Sequence, residues 1–143
     1  MSDVLNISDA AALALHAMAF LAGQPERRFA TGEIASELHV SETHLAKVLQ
    51  RLAKAGLVKS ARGPHGGFVL ARPPDEIRLL DAYEAIEGPL ADTRCVLGLP
   101  TCGAERCILG DLVTGVNARV RDYLTKTKLS GVGSVFAHNE RLS

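Results

Sequence analysis

The fold is encoded most clearly in Leu45-Ala-Lys-Val-Leu-Gln-Arg-Leu-Ala-Lys-Ala-Gly-Leu-Val-Lys-Ser60 and, one alanine later, in Arg62-Gly-Pro-His-Gly-Gly-Phe-Val-Leu-Ala-Arg72. The first run carries leucine and valine at helical spacing, which predicts a helix that starts behind the N-cap residue Ser41. Gly56 stands where a left-handed residue ends a helix. Beyond it, two short β-prone runs flank a turn rich in glycine and proline, which predicts a β-hairpin.

A shorter helix precedes this segment. Thr31 is its candidate N-cap, and His39 with Val40 forms a tight connection to the helix that follows. The outward face of the longer helix carries Thr43, His44, Lys47 and Arg51. A short helix, a tight turn and a longer helix with a basic outer face predict a helix-turn-helix, and the basic hairpin directly behind it predicts a wing.

The rest of the chain adds three helices to this unit. They are expected from Ser8 to Ala22, from Leu79 to Glu87 and from about Ile108 to Lys126. The last one has a long apolar stripe, so it either packs back on its own domain or pairs with a second copy of the chain. The predicted fold is therefore mainly α with a small β-hairpin wing. Its predicted parts are a winged helix-turn-helix (residues 1–74), a cysteine segment with a long C-terminal dimerisation helix (75–129) and a flexible tail (130–143).

Composition and charge limit the possible functions. The chain has 143 residues, of which 47% are hydrophobic and 22% charged, as in one globular domain. The longest apolar stretch, Ala10 to Ala22, has thirteen residues, whereas a membrane span needs about 20, so we expect a cytoplasmic protein without a membrane partner. The net charge is zero, but from Ser41 to Arg72 six bases face one acid, a net +5. Such a block is either an electrostatic footprint for a polyanion or a pair of solvated helix faces.

The two quoted runs, together with Ile77 to Gly88 and three downstream cysteines, resemble the winged-helix regulators typified by IscR, NsrR and RirA. The resemblance extends from about Ile7 to Leu129. It implies a homodimer crossed by its long C-terminal helices. It also implies a recognition helix in the major groove and a wing in the minor groove of double-stranded DNA at a palindromic promoter site. In many members of the family, three cysteines hold an iron–sulfur cluster whose state controls DNA binding.

Candidate DNA contacts follow from the helix-turn-helix geometry, in which the first turns of the second helix reach base edges. Thr31 is placed to bind phosphate at a helix N-terminus, although Thr31 and Ser41 are also explained as caps alone, and Arg51 as part of a solvated face. The predicted set comprises Thr31, Ser41, Thr43, His44, Lys47 and Arg51 on the helices, and Arg62, Gly63, His65 and Gly66 at the wing tip.

The three cysteines are the candidate sensor. Cys95, Cys102 and Cys107 have the spacing C-x6-C-x4-C, which fits structural zinc poorly because such sites begin with a C-x2-C knuckle and need four ligands. An odd number of clustered thiols indicates a metal or a redox switch rather than a disulfide framework. Soft thiolates suit an iron–sulfur cluster, with 2Fe–2S and 4Fe–4S both open. The alternative is a cysteine loop without a ligand.

The fourth cluster ligand is where the sequence departs from the family. The position of the IscR-type histidine is Gly110, and the position of the NsrR-type acid is Ala12. The remaining candidates are His16, Asp9 and Asp111. A histidine on an apolar helix is more often packed than coordinating, and both interpretations of His16 stay open.

These features together predict a dimeric DNA-binding regulator, usually a repressor, that senses redox state, nitric oxide or iron–sulfur status through a cysteine-bound cluster. The alternative is a cluster-free regulator of the same fold, switched by thiol oxidation or by a partner protein. A third hypothesis, an electron-transfer or cluster-carrier protein, gives the basic wing no role. Catalytic motifs are missing from the sequence, so an enzyme is not expected.

Overall fold

The computed structural model describes residues 7–61, 66–90 and 108–137. Within these ranges the chain is mainly helical, with one two-stranded antiparallel hairpin. None of the helices in these ranges is long and apolar enough to cross a membrane. The helices are α1 (Asp9–Ala22), α2 (Thr31–Leu38), α3 (Glu42–Lys54), α4 (Leu79–Glu87), α5 (Leu112–Lys126) and α6 (Ser134–Ala137), and the strands are β1 (Val58–Ala61) and β2 (Gly67–Leu70).

The helix-turn-helix forms as the sequence predicts. Ser41 caps α3, because its hydroxyl oxygen accepts a hydrogen bond from the backbone N–H of His44 at 3.3 Å. The α2–α3 turn places His39 at φ +55°, a left-handed conformation that histidine tolerates better than a branched residue. Gly56, at φ +80°, ends α3 as expected. The predicted apolar stripe of α3 is buried and comprises Leu45, Val48, Leu49 and Leu52.

One hydrophobic core joins the helices. It includes the α3 stripe, the inner face of α1 and the apolar side of α4, so it crosses the expected boundary between residues 74 and 75. The large aliphatic members of this core are Leu13, Met18, Leu21, Ile34, Leu45, Leu49, Leu52, Leu57, Leu70, Ile77, Leu79, Leu80, Ile86, Leu124 and Leu129. Because α1 and α4 both pack against α3, that helix rests on a continuous apolar support.

The hairpin is fixed to the body of the domain by its second strand. β1 and β2 pair with Val58 opposite Leu70 and Ser60 opposite Phe68. Phe68 also exchanges two backbone hydrogen bonds with Phe29, in the connection between α1 and α2, at 2.8 and 3.0 Å. The pairing of Phe29 with Phe68 therefore holds the base of the hairpin against the helices.

The C-terminal part returns to the core at its end. The backbone N–H of Leu79 donates to the carbonyl of Thr127, and that of Leu129 donates to the carbonyl of Ile77, both at 2.9 Å. These two bonds fix the end of α5 beside the start of α4. Leu129 is fully buried, so this junction is part of the core.

Three expectations about element ends need correction. Helix α5 begins at Leu112 rather than near Ile108, because Gly110 adopts φ +61° and interrupts the helical backbone. Thr31 is the first residue of α2 rather than its N-cap, which is Ala30. The expected tail from residue 130 does not hold for residues 130–137. They form short helical turns on α1, with Gly133 buried against the carbonyl of Ala22.

Candidate nucleic-acid interface

The first turns of α3 present a polar surface. Ser41, Thr43, His44 and Lys47 are all exposed, whereas Leu45 on the opposite face has no exposed area. Ser41 retains its hydroxyl proton as a donor although its oxygen serves as the cap. The structure therefore brings these four predicted residues together at one accessible helix end, the position from which a recognition helix reaches a groove.

The N-terminus of α2 is more acidic than the sequence interpretation assumed. The Glu33 carboxylate accepts a hydrogen bond from the backbone N–H of Ala30 at 3.3 Å. The Glu42 carboxylate lies beside Gly32, where an added methyl group would be 3.5 Å from its Oε2 atom. Both carboxylates suit the positive end of the helix dipole and oppose an anion there. The two carboxylates therefore weaken the case for the phosphate contact predicted at Thr31.

The hairpin follows α3 in the chain and carries an exposed lysine on its first strand. Lys59 and Ser60 are exposed on β1, and Gly66 is half-buried at the start of the returning strand. The other predicted wing-tip residues, Arg62, Gly63 and His65, lie outside the described residues. The described hairpin therefore gives the position of the wing base.

The basic block from Ser41 to Arg72 divides into two groups. Lys47, Lys54 and Lys59 are exposed to solvent. Arg51 and Arg72 are exposed as well, but they also contact α4: the guanidinium of Arg51 donates a hydrogen bond to the carbonyl of Ile86 in its last turn. A guanidinium nitrogen of Arg72 lies 4.0 Å from a carboxylate oxygen of Asp81 on the same helix. Two of the six bases thus face α4, which a count of charges does not detect.

The start of α4 holds an ion pair that the sequence interpretation missed. Asp81 accepts hydrogen bonds from the backbone N–H of Arg78 at 2.9 Å and from its guanidinium at 2.8 Å. Burial acts to raise the pKa of Asp81, but the bonds and charge of Arg78, with the charge of Arg72, outweigh it and lower that pKa. The hydrogen bond to Asp81 also raises the pKa of Arg78. The sequence does contain a signal for this pair, because Asp81 lies three residues after Arg78, the N-cap residue of α4.

The residue before the cysteine segment is held by two helices. The backbone N–H of Leu90 donates to the Glu84 carboxylate on α4 at 2.9 Å, and its carbonyl accepts from Arg121 on α5 at 2.8 Å. The predicted sensor residues Cys95, Cys102 and Cys107 lie outside the described residues. The structure therefore shows how the segment starts, and the role of the cysteines stays a prediction.

His16 is exposed on α1, so it is not a packed core histidine. Its Nδ1 atom lies 2.6 Å from the carbonyl of Ala12, and its ring meets Phe136 edge to face at 6.5 Å. Asp9 and Asp111 are exposed as well. In residues 7–61, 66–90 and 108–137 no three His, Cys, Asp or Glu side chains lie close enough to hold a metal.

Much of the apolar stripe before and along α5 is exposed in the single chain. Ile108 is 94% exposed, Leu112 57% and Leu109 39%. Val120 is half-buried, and Leu124 alone within α5 is fully buried. The sequence left two interpretations of this stripe, packing on the chain's own core or pairing with a second copy. Packing on the chain's own core applies to the C-terminal end of the stripe.

Comparisons with known proteins agree with this architecture. The model of the Rrf2 family, described as an iron-dependent transcriptional regulator, matches residues 7–133. An HTH-type transcriptional regulator of Aquifex aeolicus is 32% identical over 125 residues, which are 85% of this chain and 87% of that protein. IscR of Pectobacterium atrosepticum is 33% identical over 98 residues, 68% of this chain but only 59% of IscR.

A solved structure is similar over nearly the whole chain. CymR, the global cysteine regulator of B. subtilis, matches with a TM-score of 0.77 and 30% identity over 90% of this chain and 96% of CymR. These relatives are named as transcriptional regulators and not as enzymes. The family match over residues 7–133, the helix-turn-helix and its hairpin together show that the chain belongs to the Rrf2 family of winged-helix, DNA-binding transcriptional regulators.

Proposed function

We propose that the chain acts as a homodimeric repressor whose affinity for a palindromic promoter site depends on the state of Cys95, Cys102 and Cys107. The observation that carries this proposal is the two-faced character of α3. Its first turns expose Ser41 and Lys47, while its stripe is buried. A helix held in this way offers a rigid polar edge to a groove.

In the proposed complex, the first turns of α3 enter the major groove. Thr43, His44 and Lys47 contact base edges or phosphates, and Ser41 contacts phosphate at the helix start. The wing tip, with Arg62, Gly63, His65 and Gly66, lies over the adjacent minor groove. The exposed Lys54 and Lys59 strengthen the attraction to the phosphate backbone.

The proposed dimer places the exposed stripe of α5 against a second copy. Ile108 and Leu112 expose large apolar side chains that water solvates poorly. Pairing of two such stripes about a twofold axis buries them. A twofold dimer presents two recognition helices in inverted orientation, and this is why we expect a palindromic site.

The donor set fits an iron–sulfur cluster with three cysteine ligands. Three thiolates supply the soft anionic donors, and His16 on α1 is the candidate for the fourth position. The Ala12 carbonyl only accepts hydrogen bonds, so it favours the neutral tautomer of His16 that carries its proton on Nδ1. The lone pair of Nε2 is then free for a metal. A bound 2Fe–2S or 4Fe–4S cluster would supply iron that oxygen or nitric oxide can attack.

The second candidate function is a cluster-free regulator of the same fold, switched by thiol oxidation or by a partner protein. The specific observation in its favour is the similarity to CymR, which is named for cysteine rather than for iron. DNA binding, the dimer and the positions of the DNA contacts are the same in both candidates. They differ in what the cysteines carry.

The first experiment is the absorbance spectrum, with iron and sulfide content, of protein purified without oxygen. A visible charge-transfer band with matching iron and sulfide supports the cluster, and Cys102→Ala should then lose the iron. A colourless protein after anaerobic reconstitution would refute the cluster and leave the thiol switch.

DNA binding is tested on a duplex selected from a random-sequence pool by the wild-type protein. Lys47→Ala should weaken binding without unfolding the protein and reduce the salt slope by about one. Unchanged affinity for that duplex would remove α3 from the proposed interface.

A further inference from the structure

The C-terminal end of α4 is the meeting point of four elements. The hydroxyl of Ser8, at the start of α1, donates to the carboxylate of Glu87. Arg51 of α3 donates to the carbonyl of Ile86. Three residues beyond the end of α4, Leu90 is held by Glu84 of α4 and Arg121 of α5. We call residues 84–90 the α4 end.

The bond from Arg51 has a clear electrostatic reason. The last four carbonyls of a helix lack partners within it and carry the negative end of the helix dipole. The backbone N–H that would continue the ladder to Ile86 belongs to Leu90, and it donates to the side chain of Glu84 instead. A guanidinium is the strongest available donor for the open carbonyl.

From these contacts we infer that Arg51 is a positioning residue, which couples the α4 end to the recognition helix, and not a DNA contact. The inference rests on the proposed sensing function, since the α4 end immediately precedes the segment with Cys95, Cys102 and Cys107. A change in that segment pulls on Leu90, whose two hydrogen bonds pass the displacement to the α4 end. Arg51 then passes it to the last turns of α3.

The position of Arg51 on α3 supports this assignment. It lies eight residues after Thr43, about 12 Å along the helix axis at the usual rise. The predicted DNA contacts occupy the first turns, whereas Arg51, which is also exposed, directs its guanidinium to a carbonyl of α4. Lys54, three residues later, has the same charge and an exposed side chain, so it is a matched control.

The experiment compares Arg51→Met with Lys54→Met, because methionine keeps most of the aliphatic stem in both. Affinity for the duplex selected by the wild-type protein is measured for anaerobic protein and for protein treated with hydrogen peroxide. We expect Arg51→Met to bind within about threefold of wild type in the tighter form. The affinity ratio between the two forms should fall about tenfold, the range of one charge-assisted hydrogen bond. Lys54→Met should weaken both forms to the same extent, through the lost attraction to phosphate, and so leave that ratio unchanged.

The salt dependence separates coupling from a phosphate contact. Loss of one phosphate contact reduces the slope of log affinity against log salt by about 0.9. An unchanged slope in Arg51→Met supports the inference. A slope reduced by this amount, with equal loss of affinity in both forms, would overturn it and return Arg51 to the DNA interface.

Two further outcomes distinguish the inference from the proposed function. If wild type changes its affinity on oxidation and Arg51→Met changes it equally, Arg51 does not couple the segments, and sensing itself stands. If wild type binds alike in both forms, the proposed sensing fails and the coupling role fails with it. Hydrogen exchange of residues 52–55 gives a readout without DNA. Oxidation should alter their protection in wild type and not in Arg51→Met.

Discussion

Substitution of Gly67 by alanine should detach the hairpin from the helices. Gly67 has φ +149°, a conformation that a residue with a side chain rarely adopts. A methyl group at this position would stand 2.4 Å from the carbonyl oxygen of Phe29 and 2.7 Å from its carbon, closer than such atoms approach. Because both neighbours are backbone atoms, the Phe29 connection or the strand has to move.

The cost follows from two contributions. Backbone strain at such a position is about 1–3 kcal/mol. Loss of the two hydrogen bonds between Phe29 and Phe68 adds about 0.5–1.5 kcal/mol each. We therefore expect Gly67→Ala to lower the free energy of unfolding by about 4 kcal/mol.

Gly56 provides the matched control. It also has positive φ, at +80°, but a methyl group there has no atom within 4 Å. Gly56→Ala should therefore cost only the left-handed conformation, about 1–2 kcal/mol. Urea unfolding followed by circular dichroism measures both variants, and equal losses of stability would refute the close-approach argument. Gly67→Ala should also weaken DNA binding beyond its effect on folding, because the wing base loses its attachment.

Three other substitutions test separate parts of the account. The pKa of Asp81 is lowered in the folded state, so its contribution is present above its unfolded value of about 3.9 and is lost as pH falls through the folded value. Asp81→Asn should thus lower the free energy of urea unfolding by about 1 kcal/mol at pH 7, and by progressively less as the pH falls below about 3.9. Burial of the exposed 57% of Leu112 in a dimer is worth about 1.4 kcal/mol per protomer. Leu112→Ala should therefore raise the dimer dissociation constant roughly 100-fold in sedimentation velocity, whereas Val135→Ala, at a residue 61% exposed on α6, should not. Ser41→Asp preserves a good N-cap and should keep stability within about 0.5 kcal/mol, but its carboxylate should weaken DNA binding at least tenfold; unchanged affinity would mean that Ser41 is only a cap.

The sequence predicted those elements whose ends are marked by local chemistry. The predicted fourth helix, Leu79–Glu87, agrees with the structure at both ends, and the α3 stripe and cap are as expected. Helix α5 was predicted too long because its apolar stripe continues across Gly110, whose positive φ breaks the helix without breaking the pattern. Hydrophobic periodicity indicates which side chains share one face of a helix, but it does not indicate the backbone conformation of each residue.

The candidate site also contains features that local sequence patterns predict and features that they do not. Exposure of Thr43, His44 and Lys47 follows from helical spacing, which places them opposite the buried stripe. The partners of Arg51 and the pairing of Phe29 with Phe68 join residues that are 35 and 39 positions apart. Such contacts depend on how the elements pack, and a single sequence contains no local pattern for them. The cysteine assignment stays a prediction for solution experiments.

In the proposed mechanism, a small displacement of α3 is sufficient for regulation. The first turns of the helix are the proposed DNA contact, and its last turns are joined to the α4 end through Arg51. A tilt of about 5° about the Arg51 end would move Thr43 by roughly 1 Å, given the separation of about 12 Å between them. Hydrogen bonds to base edges form over a range of only about 0.5 Å in donor–acceptor distance. In a twofold dimer both recognition helices would shift together, so both half-sites would lose their contacts. A large rearrangement of the core is therefore unnecessary, and this is why the Arg51→Met comparison tests regulation more directly than a search for an alternative fold.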